Sequence, residues 1–564
     1  CRERFGTGAA GNGRAAGLGP RLLQIFNTRD AFDARPDDAT VAALSEDTGN
    51  SVRWFQGRPA GSRPDLGIIA QLDSSHPEPT ANAPRSALSA GALLRQRVRR
   101  QLAGGSQSFL SESRQGLPAP PCGDALADKV AHAVASLENK SPATAGLMFA
   151  PNVLAVRRML EEEQADFVAV SSSSIDPSCF LGRWLEGAYL WDYDLPSYSQ
   201  RAGDTNGYYL LSKAKEVDRD ALRRAVARLP GCSGASDEAL SQLLLEVARR
   251  GIPTVKGMST DDSGATGSLG LFVGVRLIQD EFRPSGGQAS LMPVLDGSEG
   301  EPNICIVVPV DPFREHLEDL NRALHHGKQE PSLSRPDLLV ACISIQGLAV
   351  RLRLTPVEVK FRQAAMSVAD CKEALGQARS LSTLLQSLEA KAATGPLLWK
   401  LAFQHLLATI IGFGLRVYSQ HGDVQQHATR WSEYHQAIAS ALLGGTALIE
   451  IDPTGRLVLV DASRQSEQRD CDADGFPESL VVSLEDAGRI VAGDPATLYA
   501  AMRSSLGDWR LRPAEASRMS PAPSPSPTPP AAPSDPGGLG GGGPAATRGT
   551  QGDGTSSTGE PPGG

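Results

Sequence analysis

An aspartate opens one apolar run, Arg335-Pro336-Asp337-Leu338-Leu339-Val340, and a Glu-x-Lys stands inside the next, Val357-Glu358-Val359-Lys360-Phe361-Arg362. Residues two apart on a strand project to the same face, so Glu358 and Lys360 point together. If the two runs pair as a hairpin, Asp337 joins them. Two carboxylates and one ammonium then converge, a set suited to a hard divalent cation and a phosphodiester. Asp337 and Glu358 would hold Mg2+, with a strand carbonyl near Val359 and water completing the shell. Lys360 would orient the attacking water or offset developing negative charge. The plainer alternative is three exposed charges at strand ends. Against it, Pro336 stands at a strand start, where a missing N–H is tolerated. Charges at the end of an apolar run are costly unless they face a cleft. A long helical pattern also follows directly.

This layout resembles the core of the PD-(D/E)xK nuclease superfamily. The resemblance implies a mixed, multi-domain α/β protein with a restriction-endonuclease-like core in its C-terminal half. It also implies a role for Gln377, in Lys372-Glu373-Ala374-Leu375-Gly376-Gln377-Ala378-Arg379, like the helix glutamine some members place beside the metal. The superfamily often adds an acid from the helix before the core. Glu315 and Glu318 lie on such a helix; the residues do not choose between them, and solvated helix-face charges is the favoured reading.

The elements that must position these groups follow from pattern. Ile304 to Val310 reads as a strand, and Asp311-Pro312 as the start of a helix running to His325. Strands over 337–345 and 348–359 meet at Gln346-Gly347. A long helix is expected over about 367–391, then helices near 396–418 and 425–442. Thr446–Ile451 and Leu457–Val460 read as a hairpin around Pro453-Thr454-Gly455, followed by a strand over 479–483 and two short helices ending near Leu506. Earlier in the chain, Leu66–Leu72, Phe167–Val170 and Tyr208–Leu211 read as strands. Helices are expected over Ala87–Leu102, over two segments within 122–163 broken near Pro142, over 217–229 and 236–250, and over about 267–279. The domain division expected is 1–20 disordered, 21–295 an α/β domain of open role, 300–510 the nuclease-like domain with a helical insertion, and 513–564 a Pro/Gly-rich disordered linker or tail.

Other motifs have ordinary explanations. The basic run Arg95-Gln96-Arg97-Val98-Arg99-Arg100 could touch phosphates, but a solvated helix face is the favoured reading. The glycine-rich stretch Gly257–Gly270 precedes a helix, where phosphate can bind; it lacks the lysine of a Walker motif, and a structural turn is favoured. Asp192, Asp194, Asp204 and Asn206 accompany Trp191, Tyr193, Tyr198, Tyr208 and Tyr209, in a chain with only 5% aromatic residues. A packed corner is favoured there over a stacking platform for single strands. His325-His326 has no partner set, and no G-x-S-x-G is present.

A chain of 564 residues exceeds one core, so two or three domains are expected. The net charge of -9 argues against a protein that coats nucleic acid, while leaving room for a local basic cleft. None of the eight cysteines forms a CxxC pair, and reduced buried thiols of a cytoplasmic protein are expected. The apolar segment Leu397–Leu415 is interrupted by Lys400, Gln404 and His405, which suits a buried helix better than a membrane span. An initial Cys and the Pro/Gly-rich end suggest a fragment of a longer protein.

The order of WDYDLPSYSQRAGDTNGYYLL, RRGIPTVKGMSTDDSGATGSLGLFVGVRLIQ, VVPVDPFREHLEDL, RPDLLV, VEVKFR and DADGFPESLVV, before a Pro-rich stretch, resembles the N-terminal half of HerA/FtsK-like ATPases of bacterial antiphage defence. These include the phosphorothioation-dependent restriction and methylation-associated types. The resemblance spans roughly residues 60–510. It implies a cytoplasmic protein acting on DNA with other defence-system subunits and no membrane. ATP, and any homo-oligomer, would involve only a motor domain outside these residues.

Overall fold

The computed structural model describes residues 22–27, 36–48, 51–56, 63–70, 97–103, 106–112, 147–149, 153–172, 188–194, 207–213, 216–232, 236, 262–280, 295–298, 301–325, 333–419, 428–464, 476–492 and 509–514. The chain divides into two compact units, Cys1–Pro513 and Ala514–Gly564. Every element below lies in the first. The protein is mixed α/β, with parallel and antiparallel strands in its larger sheets.

The first part of the chain contributes β1 (Leu22–Asn27), α1 (Asp38–Thr48), β2 (Ser51–Gln56), β3 (Leu66–Ala70), β4 (Arg97–Ala103), β5 (Ser106–Glu112) and β6 (Leu147–Phe149). It continues with α2 (Val153–Arg157), a π-helical turn (Arg158–Glu162), β7 (Phe167–Ser172), β8 (Ala188–Asp194), β9 (Gly207–Lys213), α3 (Glu216–Val226) and α4 (Asp262–Asp280). Strands in the order β2-β1-β3-β7-β9-β8 form a six-stranded sheet, and β4-β5-β6 form a small antiparallel one.

The second part contributes β10 (Leu295–Ser298), β11 (Glu301–Pro309), a 3-10 turn (Asp311–Phe313), α5 (Arg314–His325), β12 (Leu338–Gln346) and β13 (Ala349–Arg362). After these come α6 (Val368–Thr394), α7 (Leu397–Tyr418), α8 (Ala428–Gly444), β14 (Leu448–Ile451), β15 (Arg456–Asp461), β16 (Ser479–Ser483) and α9 (Leu484–Ala492). Its seven-stranded sheet has the order β10-β11-β12-β13-β15-β16, with β14 also on β13. The strands β10 to β13 are antiparallel neighbours, whereas β14 and β15 run parallel to β13.

The central strands are apolar on both faces, as a sheet covered by helices on both sides requires. On one side Ile306, Ala341, Leu352 and Leu354 share a core with Leu381, Leu385 and Leu388 of α6 and with α7. Each such buried leucine contributes about 1.5–3 kcal/mol. On the other side Val307, Val340, Val357 and Val359 pack with α3, α4 and α9. The long helix α6 begins where the Ser367 side chain accepts a hydrogen bond from Asp370 N, an N-cap. Among the described residues one helix, α7, is long and apolar enough to cross a membrane; 72% of its most apolar window is buried within the fold.

Three expectations are corrected. Residues 97–102 form a strand rather than a helix end, pairing with β5 from Arg97↔Glu112 to Ala103↔Ser106. The ladder with β5 outweighs local helical preference. Within 122–163, among the described residues, 147–149 are a strand in place of the expected helix and 153–162 are helical; 122–146 and 150–152 lie outside the described residues. The expected hairpin of β14 with β15 does not form. Both lie along one edge of β13, β14 beside Arg351–Leu354 and β15 beside Val357–Arg362. The Pro453-Thr454-Gly455 turn steps the chain along that edge, held by Asp452 Oδ1, which accepts from Thr454 N and Gly455 N. The helices expected over 87–96 and 236–250 and the second short helix after 492 fall outside the described residues.

Candidate functional site

The hairpin on which the acid pair depends forms, with Leu338 opposite Val357 and Gln346 opposite Ala349. Gly347 makes the turn at φ +59°, a conformation glycine adopts without a Cβ penalty. Continuing the register by one places Asp337 opposite Glu358. By alternation, Glu358 and Lys360 prolong the row of Leu352 and Leu354, on the side covered by α6.

Asp337 is tied down at the sheet end. Its carbonyl accepts from Val310 N at 3.1 Å, and its own N–H donates to Glu358 Oε2 at 3.2 Å. Val359 N donates to Asp337 Oδ2 at 2.9 Å. Lys360 Nζ forms an ion pair with Glu358 Oε1. Thus Asp337, Glu358 and Lys360 meet as one cluster.

The electrostatics follow from burial. Glu358 is 2% exposed, and its pKa is pushed up to about 8. Burial is the main cause and the neighbouring Asp337 charge adds to it, while Lys360 pulls the other way. Asp337 is exposed as a residue, but its carboxyl is folded back on the strand end. Desolvation there raises its pKa, against the Val359 N–H and Lys360; Asp311 adds a further upward push. The bond between the two residues runs from the Asp337 N–H to the Glu358 carboxyl, and the two negative charges repel each other, which adds to the upward push on Glu358.

The fourth expected residue, Gln377, is on α6. Cys371, Ala374 and Leu375 of that helix pack on Leu457 and Leu459, which lie opposite Glu358 and Lys360 on the same sheet face. Gln377 Oε1 is buried with no hydrogen-bond partner, and no hydrogen bond links it to the other three. Glu315 is exposed, and Glu318 pairs with Arg314 at 3.0 Å and Arg335 at 3.6 Å. The acid of that region that acts on Asp337 is Asp311, in the 3-10 turn. In the sequence Asp311-Pro312 signalled only a helix start.

The donor set fits Mg2+, which is commonly bound through one or two carboxylates with water and substrate oxygens completing its shell. Asp337 and Glu358 offer such a pair, and the orphaned Gln377 Oε1 is a polar atom on the helix covering their face. Among the described residues no group of three or more His, Cys, Asp or Glu could hold a metal. Lys360 already occupies Glu358 Oε1, so a cation would have to share that oxygen or displace the ammonium.

A cleft of about 690 Å3 opens beside the cluster, reached by Asp337, Lys360 and Arg362 on one side and by Arg228, Thr266 and Ser268 on the other. Sequence reading missed Arg228, because nothing in its local pattern ties it to residues so distant along the chain.

Of the aromatic group, the described side chains are packed in part, Tyr208 being exposed. Tyr193 and Tyr209 are buried, and Tyr193 stacks with Phe413 at 6.1 Å. Tyr198, Asp204 and Asn206 lie outside the described residues. Cys232, Cys305, Cys342 and Cys371 are buried free thiols. Compared with known protein families, curated proteins and solved structures, the chain matches none of them.

Proposed function

We propose that this chain is a Mg2+-dependent DNA-cleaving module with a restriction-endonuclease-like core, serving a bacterial restriction-type defence ATPase in the cytoplasm. The single observation that carries it is the Asp337–Glu358–Lys360 cluster at one end of the β12–β13 hairpin. The surroundings agree with that reading: an antiparallel β11-β12-β13 run, the covering helix α6, and β15 returning parallel to β13. The motor, the use of ATP and the contacts with other defence subunits belong to the same proposal and would reside outside these residues.

Mg2+, held by Asp337 and Glu358, would polarise the phosphoryl group and acidify water. The chain's own residues do the rest. The Val359 N–H fixes the Asp337 carboxyl, so this acid needs no rearrangement to face the substrate. Glu358 would hold the cation in its ionised form, with Lys360 beside it to donate to a phosphate oxygen or position the attacking water. Gln377 would orient that water from α6.

Incubating duplex DNA with the protein and Mg2+ tests the proposal, with Asp337→Ala as control. Cleavage by the parent that disappears in the variant supports it. A parent inactive on modified and unmodified DNA alike, or an equally active Asp337→Ala, overturns it. The second reading, a non-catalytic DNA-binding or assembly scaffold, is favoured by one observation: Lys360 already occupies Glu358 Oε1 without any metal.

A further inference from the structure

We propose that the cleft beside the acid pair is a track for the phosphodiester backbone of DNA, and that the α3–α4 part of the chain supplies one wall of it. The track rests on the nuclease reading only for what happens at the scissile phosphate; backbone binding itself requires no catalysis.

Among the described residues the lining includes Arg228, Lys360 and Arg362 beside one acid, Asp337; Lys360 is paired with Glu358, so the excess positive charge comes from Arg228 and Arg362. This is a local basic site on a chain whose net charge is -9. Local fields, rather than net charge, decide where a phosphate settles. The cleft volume of about 690 Å3 is within the roughly 300–1,000 Å3 typical of ligand pockets.

The wall from α3 and α4 is pre-organised. Arg228 follows α3, and its Nη1 donates to Thr266 Oγ1 on α4 at 2.8 Å. The bond fixes a planar guanidinium at the cleft, the group best matched to phosphate oxygens. Next to Thr266, Gly267 is exposed and has no side chain to obstruct an approaching strand, and Ser268 adds a hydroxyl. Close packing holds α4 against β13: a Cβ on Gly270 would come within 3.0 Å of Phe361 Cβ, and one on Gly274 within 3.1 Å of Val359 Cγ2. The two walls are therefore set at a fixed separation.

The cations come from two separate elements, the end of α3 and strand β13. A linear polyanion satisfies such a distribution, passing one phosphate after another, with the phosphate nearest Asp337 placed for cleavage. A single phosphate could engage only part of it.

The test is a fluorescence-anisotropy titration of the whole chain with a short DNA duplex, in EDTA so that no cleavage occurs, over a salt series. Arg228→Gln and Arg362→Gln should each weaken binding and lower the slope of log K against log salt by about 1. Arg228→Lys should keep most of the slope. Arg362 is exposed, so its variant reads out cleanly even if Arg228→Gln unfolds. Unchanged affinity and slope in Arg362→Gln and in a folded Arg228 variant overturn the track. So does displacement of the duplex by ATP or inorganic phosphate at matched phosphate concentration. Binding with these slopes by a protein that never cleaves DNA sinks the nuclease reading and leaves the track standing; cleavage with flat slopes does the reverse.

Discussion

The backbone N–H of Val359 donates to Asp337 Oδ2 at 2.9 Å, so the strand that carries Glu358 and Lys360 also holds the first acid in place. The reciprocal bond, Asp337 N to Glu358 Oε2 at 3.2 Å, closes the pair. Neither acid can move without disturbing the other's strand.

Stability should fall with rising pH across the range set by Glu358. Its folded pKa, about 8, lies above the ordinary 4.5. Between these values the unfolded chain has lost a proton that the folded chain keeps, so the folded state is stabilised below 4.5 and loses that stabilisation as pH rises through 8. The effect is on the order of a few kcal/mol. Urea unfolding without metal at pH 5 and pH 8 checks it; Glu358→Gln should flatten the difference, and a profile identical to the parent's would contradict the assignment.

Mg2+ should bind with release of a proton, because Glu358, whose pKa is pushed up to about 8, holds a proton at pH 7 that a cation must displace. Calorimetry at pH 7 in two buffers of different ionisation enthalpy would show heats that differ by the proton released. Equal heats in both buffers would mean that the pair is already fully ionised.

Lys360→Ala should shift the pH dependence of cleavage upward as well as reduce the rate. The ammonium lowers the pKa of both Asp337 and Glu358, so its removal holds their protons to higher pH. A pH–rate profile of the variant measures this. An unmoved midpoint would confine Lys360 to a structural role.

Gln377→Leu should lower cleavage at no cost in stability. Its Oε1 is buried without a hydrogen bond, so the substitution breaks nothing and removes an unsatisfied polar atom. Thermal unfolding and cleavage measured together separate the effects; lost stability with full activity would make the glutamine a packing residue.

Gly455→Ala should destabilise the sheet by about 2 kcal/mol or more. The residue has φ +69°, and a Cβ there would meet Ala378 Cβ on α6 at 2.5 Å. Denaturant unfolding checks this, and a neutral result would show that α6 can retreat from the turn.

Strand and helix identities in the second half could be read because their patterns are local and strong. The run Ile304–Val308 is apolar at every position, as a strand covered on both faces must be, and the leucines of α6 recur at helical spacing. The side on which Glu358 and Lys360 lie follows from strand alternation alone. Where pairing is non-local, the pattern misled: residues 97–102 took a strand partner in β5, and β14 and β15 chose β13 over each other.

By itself the chain determined that Glu358 and Lys360 share a face and that Asp337 begins the neighbouring strand, because a strand repeats every two residues. Only the tertiary structure decided that Asp337 is anchored by Val359, that Asp311 rather than Glu315 or Glu318 bears on it, and that Arg228 faces the same cleft. Those relationships depend on how helices and strands far apart in sequence pack together. Burial, which raises the pKa of Glu358 to about 8, is likewise a property of the assembled core and of no single segment.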